Sequence, residues 1–143
     1  MDLLKLKFLR VLSPYVTMLL RVAFGLIMMN HGWAKFNGGA AGVSGFFGGL
    51  GIPAPTAAAW LVIVVELIGG LCIVLGVLPR LWSLLFAIVM VVAIVLAKLP
   101  GGEGFGSFEL EFLLLFVALF IAVKGGGSPA VGPMLGLSDD NDD

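Results

Sequence analysis

A bilayer-spanning helix needs ~20 mostly apolar residues, and this chain of 143 residues contains four stretches near that length. They run from about Tyr15 to Ala34, Thr56 to Leu78, Leu81 to Leu99 and Phe108 to Val123. Pro14, Pro53, Pro55, Pro79 and Pro100 stand at or near their ends, where a missing N–H costs least. The third stretch is rich in Val, Ile and Leu and would suit a strand in water. In hydrocarbon the backbone must satisfy itself within the segment, so its length makes it a helix. The spacing predicts an all-α, integral membrane four-helix bundle. Composition agrees: 60% of residues are hydrophobic and 12% charged, whereas a soluble domain is nearer half apolar and a quarter charged. There is too little polar surface here to coat a soluble enzyme.

The remaining segments follow from that division. Residues 1–14 form a basic N-terminus, 15–125 the membrane domain, and 126–143 a tail containing Gly and Pro and ending in Asp139, Asp140, Asp142 and Asp143. Lys5, Lys7 and Arg10 resemble the start of a signal peptide, but Arg21 interrupts the apolar run that would have to follow. With four crossings, Lys5, Lys7, Arg10, Arg80 and Lys124 share one side, and Lys35 and Lys98 the other. That bias puts both termini in the cytoplasm, with a bacterial inner membrane as the expected location. Between the first two spans, Val43, Phe46, Phe47 and Leu50 recur at helical spacing. This predicts a short interfacial helix that can cover the bundle mouth.

Ionisable residues inside a span cost ~2.5–3.5 kcal/mol on insertion scales, so they face the bundle interior and find partners. Arg21 and Glu66 are the two that lie deep within a span. At ~1.5 Å per residue their depths differ by only ~6 Å if the helices start flush, which makes an Arg21–Glu66 pair the expected contact. The pair could fix helix register, or it could meet a polar ligand or a proton. Arg21, Gly25, Met28, Gly32 and Lys35 share one face of the first span, and Ala59, Glu66, Gly69 and Gly70 cluster on the second. Glycines on such faces permit close helix approach. His31 lies beside the first stripe. Glu103, Glu109 and Glu111 sit at the same end of the bundle as His31 and Lys35, and Glu109 and Glu111 suit the positive end of a helix dipole. Phe108, Phe112, Phe116 and Phe120 form an aromatic strip that faces lipid, packs the core or walls a slot for a flat ligand. Trp33, Trp60 and Trp82 fall near span ends, as membrane-interface aromatics do.

These residues, in their order along the chain, resemble the DoxX family of small four-helix membrane proteins. The resemblance lies in Arg21-x-x-x-Gly25, His31-Gly32-x-x-Lys35-Phe36, and Leu50-Gly51-Ile52-Pro53. It continues through Glu66-x-x-Gly69-Gly70, Gly76 with Pro79-Arg80, and Gly106-x-x-Glu109. It implies the four-helix fold and a link to the membrane subunit of thiosulfate:quinone oxidoreductase, hence to redox or sulfur metabolism. By motif position and burial, it makes Arg21, His31, Lys35, Glu66 and Glu109 the candidate ligand-binding residues.

One cysteine, Cys72, and one histidine, His31, give no dithiol, no bis-histidine haem ligation and no all-cysteine metal site within a single chain. Electron chemistry would therefore need an external cofactor, such as a bound quinone, or a partner protein. Two readings follow. One is a quinone-linked redox membrane subunit. The other is a non-catalytic subunit that packs against and stabilises a larger membrane complex, or a copy of itself. A carrier of protons or small solutes fits four helices less well. A net charge of -1 offers nothing to nucleic acid; the surrounding partner is membrane lipid.

Overall fold

The structure, a computed structural model, describes residues 11–137. The basic residues before Val11 and the acidic run from Ser138 lie outside the described residues. Five helices follow one another: α1 (Ser13–Gly38), α2 (Ala40–Gly49), α3 (Pro55–Leu75), α4 (Pro79–Gly101) and α5 (Glu109–Lys124). Helices α3 and α4 are each long and apolar enough to cross a membrane by length and composition alone. At ~1.5 Å per residue, the 26 residues of α1 reach ~39 Å, which also exceeds a ~30 Å hydrocarbon layer. Helices α1, α3, α4 and α5 pack as a bundle, and α2 lies across one end of it. That end is the mouth. The opposite, turn end carries the tight α3–α4 connection at Gly76–Leu78.

Proline and glycine set the breaks. Pro55 and Pro79 open α3 and α4, positions where proline's fixed φ suits a helix and its missing N–H is not needed. Gly76 closes α3 with φ 72°, a left-handed conformation that glycine adopts without steric cost. The chain then folds back antiparallel, as the short Leu78-Pro79-Arg80 connection requires.

Phe24 of α1 meets Phe86 of α4 edge-on at 5.5 Å, inside a core that includes Met28, Ile73, Leu114, Ala118 and Ile121. The outside is equally apolar, with Leu19, Leu26, Leu61, Leu84, Val95 and Leu113 all exposed. A surface as apolar as the core belongs in lipid. The fold is an all-α integral membrane four-helix bundle with a short interfacial helix.

Contact between α1 and α3 is backbone-close. A Cβ on Gly25 would stand 2.7 Å from the Gly70 carbonyl oxygen, and one on Gly32 would stand 2.8 Å from Glu66 Cβ. These two approaches fix the register, with Gly25 opposite Gly70 and Gly32 opposite Glu66. The expected Arg21–Glu66 pair is therefore not formed. Arg21 is eleven residues from Gly32, so it lies ~17 Å along the axis from Glu66. The flush-start assumption failed because α3 extends further beyond this contact toward the mouth than α1 does.

Past Lys124 the chain turns back. Residues 125–137, read from sequence as part of the tail, pack on the turn end. Val131 N–H donates to Leu75 O at 2.8 Å and Leu137 N–H to Gly132 O at 2.9 Å. This segment forms a cap.

A charged cavity at the bundle mouth

A cavity of about 410 Å³ opens at the mouth, between α1, α3, α4 and α5 and beneath α2. Its walls are apolar over most of their area, formed by Leu61 and Val62 of α3, Ile88, Val89 and Ala93 of α4, and Leu110 and Leu114 of α5. Phe46 and Phe47 of α2, with Leu50 just after it, line its mouth. Five polar side chains reach it: His31, Lys35, Glu66, Lys98 and Glu111.

Four of the five form two ion pairs. Lys35 Nζ donates to both carboxylate oxygens of Glu66, at 2.7 and 2.6 Å. Lys98 Nζ stands 3.4 Å from Glu111 Oε1. Glu66 is 1% exposed, and the Lys35 side chain is 30% exposed. The lysine stem thus descends from the mouth and carries its ammonium to a buried carboxylate, a use of a long side chain that leaves little of it in hydrocarbon. The α4–α5 pair is the wetter of the two, with side chains 39% and 21% exposed.

Both pairs rest on irregular helix. Residues Val65–Gly69 of α3 and Ala93–Lys98 of α4 are π-helical. A π turn inserts an extra residue and rotates the side chains that follow it, and such turns concentrate at functional sites. Glu66 lies in the first π segment and Lys98 ends the second.

Of the five residues expected from sequence, the structure brings together His31, Lys35 and Glu66. Arg21 and Glu109 lie elsewhere. Arg21, 2% exposed, points into the cap at the turn end. Its Nη1 donates to Gly126 O and Gly127 O, both at 3.2 Å, and its Nη2 to Val74 O at 3.3 Å and Pro129 O at 3.0 Å. An arginine keeps its charge in hydrocarbon, and here four carbonyl dipoles answer it instead of a carboxylate. Its Nε is buried with no partner among the described residues. Glu109 opens α5 as an exposed residue, where it complements the helix dipole. Glu111, two positions on, is the acid that faces the cavity.

Sequence reasoning missed Lys98 and Glu111 as site residues. Lys98 served only as a marker of orientation, and Glu111 as a dipole partner among the acids at the mouth end, with Glu109 taken as the candidate in its place. Yet they stand at the same membrane face as Lys35, one at the end of an odd span and one at the start of an even one. That placement was the available signal.

A small polytopic helical membrane protein with paired charges in an apolar-walled cavity at one end is the class that this fold and site define. The DoxX family model matches residues 16–99, and the chain belongs to the DoxX family. The match takes in Arg21, His31, Lys35, Glu66 and Lys98 and stops short of Glu111. A Bacillus subtilis (strain 168) protein named "Putative oxidoreductase CatD" is 35% identical over 119 residues, covering 83% of this chain and 86% of the relative. An uncharacterized membrane protein of Mycobacterium tuberculosis is 37% identical over 127 residues, covering 80% of this chain and 78% of its own length. No solved structure gives a significant match.

Proposed function

We propose that this protein is a quinone-binding membrane subunit of a redox system, seated in a bacterial inner membrane with both termini in the cytoplasm. The observation that carries the reading is the mouth cavity, about 410 Å³ with apolar walls and cationic donors. Its volume falls in the range of small-molecule sites, ~300–1,000 Å³, which combine an apolar lining with few polar groups. A flat ring with carbonyl oxygens suits such a lining and such donors. Lys35, Lys98 and His31 are the groups that would donate to those oxygens, while Glu66 and Glu111 hold the two lysines in place. Phe46 and Phe47 of α2 would shield the ring from water. A quinone supplies reversible exchange of electrons and protons when bound; the residues here hold and orient it. The relative named as an oxidoreductase supports the redox part of the reading. Arg80 and Lys124 at the turn end favour the cytoplasm for that end.

The test is saturable binding of a quinone to the protein in lipid nanodiscs, followed by quenching of tryptophan fluorescence. Removing one charge-assisted hydrogen bond costs ~1.5–3 kcal/mol, or roughly 10- to 100-fold in Kd. Lys35→Met should weaken binding by that order, and Lys124→Gln, at the other end of the bundle, should not. Absence of saturable binding to the parent protein, or equal Kd values across these variants, overturns the reading.

A further inference from the structure

Helices α3 and α4 touch closely near their turn but not along their full length. Val65–Leu75 packs against Pro79–Val92, whereas the opening turns of α3, Pro55–Val64, make few contacts with α4. The two helices therefore part toward the mouth, and the cavity lies in the gap. Leu61, Ile88 and Val92 line the cavity, yet they are also 64%, 54% and 39% exposed. Phe46 of α2 and Leu110 of α5 also line the cavity and are 56% and 44% exposed. What singles out Leu61, Ile88 and Val92 is that they flank the stretch where α3 and α4 make few contacts, which marks an opening there. Leu61 is six residues into α3, ~9 Å from its mouth end. Ile88 is nine residues into α4, ~14 Å along a helix of ~35 Å. Both levels lie within a hydrocarbon layer of ~30 Å, so the opening faces acyl chains.

We infer that the gap between α3 and α4 is a lateral portal, through which the ligand enters from the bilayer and its hydrocarbon tail remains in lipid. The inference rests on the quinone reading of the cavity and specifies its substrate class: a long-tailed, membrane-dissolved quinone. The polar groups are distributed accordingly. Lys35, Glu66 and His31 approach the cavity from α1 and α3, and Lys98 and Glu111 reach it where α4 ends and α5 begins. The portal rim of Leu61, Ile88 and Val92 is wholly apolar. A ligand with a polar head and an apolar tail matches that arrangement, head among the charges and tail across the rim.

The test is photo-crosslinking in nanodiscs with a benzoquinone that carries an alkyl tail ending in a diazirine. Labelled positions are mapped by mass spectrometry, with and without excess unlabelled long-tailed quinone. Competable labelling at Leu61, Ile88 or Val92 is the expected result, and the double variant Leu61→Phe with Ile88→Phe should reduce it several-fold. Competable labelling confined to Phe46, Phe47 and the rest of α2 would mean that the tail leaves beneath the interfacial helix, which overturns the portal. No competable labelling anywhere also overturns it. Tail-less benzoquinone binding, read by fluorescence quenching, then decides separately whether the quinone reading survives.

Discussion

Lys35 and Glu66 are not equivalent partners. The carboxylate is buried, while the ammonium is close enough to the mouth to find water if its partner goes. Breaking a buried pair costs ~3–5 kcal/mol in soluble proteins when the survivor has no alternative. Lys35→Met leaves the deeper carboxyl without its cation; taking up a proton relieves part of the penalty, so its loss should fall somewhat below that range. Glu66→Gln keeps an acceptor oxygen for Lys35, and its cost should be nearer ~1 kcal/mol, that of weakening one hydrogen bond. Melting temperatures in detergent should rank the parent highest, Glu66→Gln next and Lys35→Met lowest; the reverse order for the two variants would contradict the geometry. Arg21 answers to a different set of partners. Its planar fork spans four carbonyls at once, which a lysine ammonium cannot reproduce. Arg21→Lys and Arg21→Met should both loosen the cap.

The loosened cap is best read at the scale of the segment. Residues 125–137 follow directly on Lys124, so trypsin should cut after Lys124 several-fold faster in either Arg21 variant. An unchanged cleavage rate would show that backbone hydrogen bonds such as Val131 N–H to Leu75 O suffice to hold the cap. The α1–α3 interface makes a second prediction. Gly25 has no room for a methyl group, whereas Gly42 on α2 has nothing nearby that a Cβ would meet. Overpacking of a tight contact costs ~1–3 kcal/mol, so Gly25→Ala should lower the melting temperature. Gly42→Ala should hold or raise it, because alanine favours a helix by up to ~1 kcal/mol over glycine. If the cavity binds quinone as proposed, the Gly25 change should also weaken that binding, since spreading α1 from α3 draws Lys35 away from Glu66.

For the whole molecule the testable property is sidedness. The packed helices α1, α3, α4 and α5 put the loop at Glu103 and the cap at Met134 at opposite ends of the bundle, so four spans would place them on opposite faces of the membrane. With Cys72→Ser as background, Glu103→Cys should react with an impermeant thiol reagent added to intact cells. Met134→Cys should react only after the membrane is opened. Both positions are exposed, so accessibility reports topology and not burial. Labelling of both from the same side would remove the four-span arrangement. Labelling of Met134→Cys alone in intact cells would keep the spans and invert the orientation.

The fold class was legible because bilayer physics leaves so few options. Runs near twenty apolar residues must become helices, and prolines beside them mark where the helices begin. The interfacial helix was legible in the spacing of Val43, Phe46, Phe47 and Leu50, and the close α1–α3 contact in the glycines on both faces. Which charge meets which was not legible. Pairing depends on axial register, and register was decided by Gly25 against Gly70 and Gly32 against Glu66, contacts between segments distant in sequence. A displacement of a few turns moved Glu66 from Arg21 to Lys35. The same holds for Arg21, three of whose four carbonyl partners lie in residues 126–129, a stretch with no hydropathy signal and no charge. Composition and periodicity determined that this chain lies in a membrane as a helical bundle with ionisable residues inside. Only the tertiary packing decided that those residues divide between a charged cavity at one end and a carbonyl-lined cap at the other, because side-chain partners are set by how helices meet and not by how each one forms.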